Sequence, residues 1–84
     1  MSRINVEILT PGNGKAYEFK LDNSALVAEI AMQLSEMIEI FEAGNFSLDK
    51  KLPLLCSVDT KRLLNPAHSL LEAEIKNGGR LFLL

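Results

Sequence analysis

The longest periodic run of apolar and polar residues extends from Ser24 to Ala43 and predicts the chain's one helix of several turns. The opposite arc of this helix is polar and includes several carboxylates. Since ionised carboxylates exclude a membrane span, we expect an amphipathic helix with one face on a core. At about 100° per residue, the apolar residues of that face share an arc of about 140°: Leu26, Val27, Ile30, Ala31, Leu34, Met37, Ile38 and Phe41.

The N-terminal segment alternates between apolar and polar residues from Ile4 to Thr10, with the period of a half-buried strand. The sequence Pro11-Gly12-Asn13-Gly14 is dense in turn-forming residues, and a second alternating segment then continues to Leu21. We therefore predict a β-hairpin from Ile4 to Leu21. Its apolar face carries Ile4, Val6, Ile8, Tyr17, Phe19 and Leu21.

Turn and cap residues divide the rest of the chain. Asp22-Asn23-Ser24 offers N-cap side chains for the helix, and Gly44-Asn45 offers a left-handed C-cap. The segment from Phe46 to Pro53 has no sustained period. Beyond it we expect a short strand from Leu54 to Val58, a brief return strand from Lys61 to Leu64, one helical or 3₁₀ turn between Leu70 and Ile75, and a last apolar strand from Arg80 to Leu84.

The element order is therefore β-β-α-β-β. A right-handed crossover through the helix lets the last strand lie parallel to the first at the centre of the sheet. This arrangement is the β-grasp, or ubiquitin-like, fold. We predict an α+β protein with a mixed sheet of about four or five strands, one amphipathic helix on one face, and a single domain over residues 1–84.

Composition and charge narrow the class of protein further. Hydrophobic residues make up 48% of the chain and charged residues 24%, which is ordinary for a folded globular protein. The net charge of −2, without a basic run interleaved with aromatic residues, argues against nucleic acid as a partner. The single cysteine excludes an intramolecular disulfide, and no apolar leader precedes the first strand. We expect a cytoplasmic protein without direct membrane insertion.

Few residues suggest reactive chemistry. Cys56 and His68 are the only thiol and the only imidazole, and no third group to orient them is evident. Cys56 lies in an apolar strand, where a free cysteine usually serves as a small buried hydrophobe. One cysteine and one histidine also fall short of the three or four ligands of a zinc site. We therefore expect no catalytic residue, no metal and no cofactor.

The sequence resembles a known family over nearly its whole length. The resemblance rests on the hairpin, the helix, Leu70 followed five residues later by Ile75, and the closing sequence from Ile75 to Leu84, with the pattern I-x-N-G-x-R-L-x-x-L. These features are similar to the small bacterial ubiquitin-like proteins of the YukD/EsaB family. Membership implies a cytosolic accessory or regulatory component of a Gram-positive type VII (WXG100) secretion system, with no activity of its own and a protein partner in the secretion machinery.

The position of the glycine pair bears on conjugation. Ubiquitin and the sulfur carriers end in a flexible Gly-Gly, whereas Gly78-Gly79 precedes the last predicted strand and the sequence ends in Leu83-Leu84. Exposing Gly79 would remove two buried leucines worth roughly 3–6 kcal/mol, comparable with the stability of a small domain. We therefore expect neither conjugation nor sulfur transfer. The alternative function is a small non-catalytic ubiquitin-like subunit of a multicomponent enzyme, such as a bacterial oxygenase.

The alternation of side chains also predicts a binding surface. If Leu81 and Leu83 face the helix, Phe82 and Leu84 lie on the outer face of the sheet. Leu9 and one of Leu54 or Leu55 would join them there, and we name Leu9, Leu55, Phe82 and Leu84 as candidate partner-binding residues. The alternative is that the segment from Phe46 to Pro53 covers Phe82. The oligomeric state stays open between a monomer and a weak dimer.

Overall fold

A computed structural model describes residues 2–42 and 53–84 of the chain. The four strands form one sheet in the order β2-β1-β4-β3, in which β1 and β4 are parallel and the other two pairs are antiparallel. The predicted α+β, β-grasp architecture is thus confirmed. In chain order the elements are β1 (Arg3–Thr10), β2 (Lys15–Asp22), α1 (Val27–Phe41), β3 (Leu55–Ser57) and β4 (Gly79–Leu83).

The predicted hairpin from Ile4 to Leu21 is present as β1 and β2. Its strands pair without interruption from Arg3 opposite Asp22 to Thr10 opposite Lys15. In the turn between them, the backbone N–H groups of Asn13 and Gly14 donate to the carbonyl of Thr10 at 3.1 and 2.9 Å. Gly14 closes this turn with a φ of 68°, a left-handed conformation that glycine adopts without steric cost.

The core lies between the sheet and one face of α1. The helix contributes Val27, Ile30, Ala31, Leu34 and Ile38, as its apolar period predicts. The prediction of burial is wrong for the first and last residues of that face, because Leu26 is 42% exposed and Phe41 is 60% exposed. Leu26 precedes the first helical turn, and Phe41 lies at the end of the helix beyond the closely packed part of the core. The sheet and its connections contribute Ile4, Val6, Ile8, Leu21, Leu55, Leu70, Leu81 and Leu83.

The start of the helix differs from the prediction. The Oδ1 atom of Asp22 accepts hydrogen bonds from the backbone N–H of Ser24 at 2.9 Å and from its hydroxyl at 2.7 Å, and α1 begins only at Val27. The first helical N–H groups donate instead to backbone carbonyls, Val27 to His68 at 2.8 Å and Ala28 to Pro66 at 3.1 Å. Helix termini need such acceptors, and here a loop distant in sequence supplies them.

The chain after the helix is less regular than predicted. The return strand expected from Lys61 to Leu64 is absent from the described residues, where Leu63 forms only an isolated bridge with Cys56. The turn expected between Leu70 and Ile75 is confirmed, since the N–H of Ala73 donates to the carbonyl of Ser69 at 3.0 Å. The C-cap predicted at Gly44-Asn45 and most of the segment from Phe46 to Pro53 lie outside the described residues.

Candidate protein-binding face

The strands direct alternate side chains to the helix and to the outer face of the sheet. On β4, Leu81 and Leu83 are buried under the helix, so Phe82 between them lies on the outer face and is half-buried. On β1 the same alternation buries Ile8 and places half-buried Leu9 outside. The predicted outward positions of Leu9 and Phe82 therefore agree with the strand geometry.

Strand register brings the outward apolar residues into line. Leu9 is paired with Ala16 on one side and with Phe82 on the other, and Phe82 is paired in turn with Cys56. Cys56 forms a bridge with Leu63, which is 59% exposed. We call this line of Ala16, Leu9, Phe82, Cys56 and Leu63 the outer-face row. It crosses the whole width of the sheet, although its five members come from the four strands and from the segment that follows β3.

A second apolar pair extends the outer-face row toward one end of the sheet. Leu54 and Leu84 exchange two backbone hydrogen bonds, of 3.2 and 2.9 Å, and both side chains are half-buried. Leu84 lies on the outer face by the same alternation that places Phe82 there. Beside the row, a shallow depression of about 220 Å³ lies between Leu9, Phe82 and the hairpin turn at Pro11. A depression of this size suits one apolar side chain of a protein partner.

Charged residues border the outer-face row on its other side. Glu7 of β1 lies opposite Glu18 of β2 and opposite Arg80 of β4. These three residues occupy the outward positions next to Leu9, Ala16 and Phe82 along their strands. The face therefore has an apolar centre and a mixed-charge margin, which is the usual composition of a protein-binding surface.

The structure contradicts one candidate. Leu55 was assigned to the outer face, but it is only 1% exposed and belongs to the core. Leu55 is paired with Leu83, and residues opposite each other in a sheet point to the same face. Leu54 is the member of the pair that lies on the outer side, with Cys56. Two adjacent leucines in a three-residue strand carry no periodicity of their own, so only the register decided between them.

Three members of the outer-face row, Ala16, Cys56 and Leu63, are not among the residues predicted for the binding surface. Ala16 and Leu63 are apolar residues that join the row only through pairing with Leu9 and Cys56. The apolar strand around Cys56 predicts a small buried hydrophobe, whereas Cys56 is half-buried and lies on the outer face. Ala16 lies within the predicted hairpin, but its position opposite Leu9 follows only from the strand register. No sequence signal placed Cys56 and Leu63 in the row.

A second polar contact joins the hairpin to the end of the helix. Glu42 accepts hydrogen bonds of 2.6 Å from the Lys15 ammonium and from the Tyr17 hydroxyl. The Lys15 bond, followed by the Tyr17 bond, holds the pKa of Glu42 below its ordinary value of 4.5. The same contact raises the pKa of Lys15, chiefly through its hydrogen bond to Glu42. This contact fastens α1 to the sheet.

Reactive chemistry finds little support in the described part of the chain. Residues 2–42 and 53–84 hold no group of three or more histidine, cysteine, aspartate or glutamate side chains placed to bind a metal ion. His68 is exposed, and its backbone carbonyl accepts the first N–H of the helix. Over the same residues, the structure has no helix with the length and apolar character that crossing a membrane requires.

The topology, the helix and the central parallel pair define the class: the chain has a ubiquitin-like fold. No family model and no curated protein matches the sequence. Among solved structures, the ubiquitin-like domain of EccD5 from Mycobacterium xenopi is 27% identical, with a TM-score of 0.81 over 100% of this chain and 94% of that one. A chain of the MycP5-free ESX-5 inner membrane complex is 25% identical, with a TM-score of 0.80, and the match covers 100% of this chain and 21% of that one.

A third similar structure comes from an enzyme complex. A chain of the toluene 4-monooxygenase HD complex is 7% identical, with a TM-score of 0.81 over 98% of this chain and 96% of that one, which shows a shared fold alone. The EccD5 and ESX-5 matches go further. They show that this chain resembles ubiquitin-like domains of type VII secretion components.

Proposed function

We propose that the chain is a non-enzymatic protein-interaction module of a type VII secretion system and that it binds its partner through the outer-face row. The observation that carries this proposal is the continuous apolar line through Leu9, Phe82 and Cys56, with charged residues at its margin. A continuous line of surface apolar side chains with a charged margin is typical of a binding site. The likeness to EccD5 and to the ESX-5 membrane complex supports a partner in the secretion machinery.

Within that function, the closing sequence pattern favours a cytosolic accessory or regulatory protein of the YukD/EsaB type. The described surface offers protein contacts in place of a reactive centre, which supports a role through binding. In this role the domain attaches to the cytosolic side of the secretion complex by its sheet, and the exposed polar face of α1 stays in solvent.

Two glycine positions support the view that the pair Gly78-Gly79 is a structural turn. Gly78 has a φ of 86°, a left-handed conformation that side chains rarely adopt. A Cβ on Gly79 would lie 3.0 Å from the backbone oxygen of Lys76, and Gly79 is already the first residue of β4. Both glycines are therefore needed for entry into the central strand, which argues against conjugation or sulfur transfer through this pair.

A non-catalytic subunit of a multicomponent oxygenase is the second candidate function. It is supported by the fold shared with a chain of the toluene 4-monooxygenase complex. At 7% identity that likeness carries no residue-level support, whereas the two secretion matches reach 25% and 27%. The secretion role is therefore the better supported of the two.

Capture of a detergent-solubilised type VII membrane complex on the immobilised domain tests the proposal. We expect wild type to retain the complex and Phe82→Asp to lose it, because a buried carboxylate in the apolar row is costly. Ile40→Asp is the matched control, since Ile40 is 75% exposed and lies on α1, away from the outer-face row. If wild type failed to retain the complex, the secretion role would be excluded. If Phe82→Asp retained it, the outer-face row would be excluded as the binding site.

A further inference from the structure

The two edges of the sheet are unequal. β3 has only three residues, and the segment through Leu63 and Leu64 runs along it, with the N–H of Leu64 donating to the carbonyl of Leu55 at 2.8 Å. The opposite edge is β2, which has eight residues, an unbroken register with β1 and no proline. Among the residues that the structure describes, no strand lies beyond β2. A long regular edge of this kind is a template for pairing with another strand.

The direction of the free backbone groups follows from the pairing of β1. The carbonyl of Asn5 accepts from the N–H of Gly78 at 2.7 Å, and its N–H donates to the side chain of Asn77 at 2.8 Å, so both groups point away from β2. In an antiparallel pair the residue opposite also directs its N–H and C=O outward. That residue is Lys20, and by alternation Glu18 and Ala16 share its orientation.

We propose that β2 pairs antiparallel with β2 of a second copy of this chain, about a two-fold axis at Phe19. In this register Glu18 of each copy lies opposite Lys20 of the other, which forms two cross-strand pairs of opposite charge. Moving the axis to Glu18 places the two Glu18 side chains opposite each other. An axis at Lys20 places the two Lys20 side chains opposite each other. Among the axes at Glu18, Phe19 and Lys20, which lie near the middle of β2, charge complementarity therefore favours the register at Phe19.

On the face of the sheet that α1 covers, β2 carries aromatic side chains that favour pairing with β2 of a second copy. Phe19 stacks on Phe41 with ring centroids 6.3 Å apart and an angle of 11° between the rings, and Tyr17 stacks on Phe41 at 6.5 Å. The axis brings the two Phe19 side chains together in a non-hydrogen-bonded pair, where side chains approach closely. The Phe41 rings, each 60% exposed, lie beside that pair. Association therefore covers an aromatic cluster that the monomer leaves partly exposed, chiefly at Phe41.

The dimer would join two four-stranded sheets into one of eight strands. A two-fold axis perpendicular to the sheet keeps both helices on one side and both outer-face rows on the other. Each row stays open to its own partner. The proposed pairing of two β2 strands therefore does not depend on the secretion role and can be tested independently of it.

Sedimentation equilibrium of the full chain tests the pairing between about 10 µM and 1 mM, the range of a weak complex. We expect the mass to rise with concentration from 9.3 kDa toward twice that value. Glu18→Lys and Lys20→Glu should each weaken association about tenfold, because each replaces both opposite-charge pairs by like charges. The double variant Glu18→Lys/Lys20→Glu should restore wild-type association, since the pairs are then reversed but complete.

The control is Glu36→Lys, which makes the same charge change on the exposed face of α1 and should leave the dimer unaffected. Amide NMR spectra of each variant check that the domain stays folded. A mass of 9.3 kDa at every concentration would overturn the proposal. A dimer insensitive to both single reversals, or one that the double variant does not restore, would overturn the register and with it the β2 interface.

Discussion

The hydroxyl of Tyr17 donates a hydrogen bond of 2.6 Å to the carboxylate of Glu42. Tyr17 lies on β2, and Glu42 caps the last turn of α1, where its N–H donates to the carbonyl of Ile38 at 2.9 Å. The residues are 25 positions apart in sequence. This bond, together with the ion pair between Lys15 and Glu42, ties the end of the helix to the hairpin.

Glu42→Gln should lower the thermal midpoint by a few degrees at pH 7, and this effect should shrink as the pH falls below 4.5. The folded state holds the pKa of Glu42 below 4.5, so its carboxylate stabilises the fold above that pH, and the contribution is lost as pH falls through the lowered pKa. Thermal melts followed by circular dichroism from pH 7 to pH 3 measure this. Glu39→Gln removes an exposed carboxylate of the same helix and is the control; an equal loss at all pH values would contradict the role of charge.

Gly78→Ala should destabilise the domain by about 1–2 kcal/mol, because alanine at a φ of 86° meets a steric penalty within its own backbone. No neighbouring atom lies within 4 Å of the added Cβ, so crowding plays no part. Gly12→Ala is the matched control, since its Cβ is equally free and its φ is outside the left-handed region. Urea unfolding of both variants measures the difference, and equal stabilities would exclude a conformational requirement at Gly78.

Leu81→Ala should cost about 2–5 kcal/mol, whereas Phe82→Ala should cost about 1 kcal/mol or less. Leu81 is 0% exposed under the helix, and Phe82, the next residue of β4, is half-buried on the outer face. Chemical denaturation of the two variants makes the comparison. A loss for Phe82→Ala as large as that for Leu81→Ala would show that Phe82 is a core residue and would remove the centre of the proposed binding face.

Ser69→Ala should destabilise the domain by about 1 kcal/mol through loss of a capped turn. The N–H of Ser69 donates to the Glu72 carboxylate at 2.9 Å, and the N–H of Glu72 donates to the Ser69 hydroxyl at 3.1 Å. The bond from the Ser69 backbone N–H lowers the pKa of the Glu72 carboxyl most, and the Ser69 side chain lowers it further. NMR titration of Glu72 should show its pKa move toward 4.5 in Ser69→Ala; an unchanged pKa would mean that the hydroxyl contributes nothing.

The comparison of sequence and structure is clearest at the hairpin and the helix start. Alternation over two long segments predicted β1 and β2, because each strand turns one face to the core and the other to solvent. The N-cap could not be read in the same way. Asp22, Asn23 and Ser24 all have capping side chains, but the acceptors for the first helical N–H groups are the carbonyls of Pro66 and His68, which only the folded chain brings near.

The sequence by itself determined the β-grasp order of elements, the buried face of the helix and the outward position of Phe82, because local periodicity records which side of an element avoids water. Only the tertiary structure determined which residues from distant segments lie side by side, because local periodicity holds no such information. The tertiary structure placed Leu55 in the core and Cys56 beside Phe82, and it joined Ala16 and Leu63 to the same apolar row. Strand register, which depends on contacts between distant segments, is the physical reason for that difference.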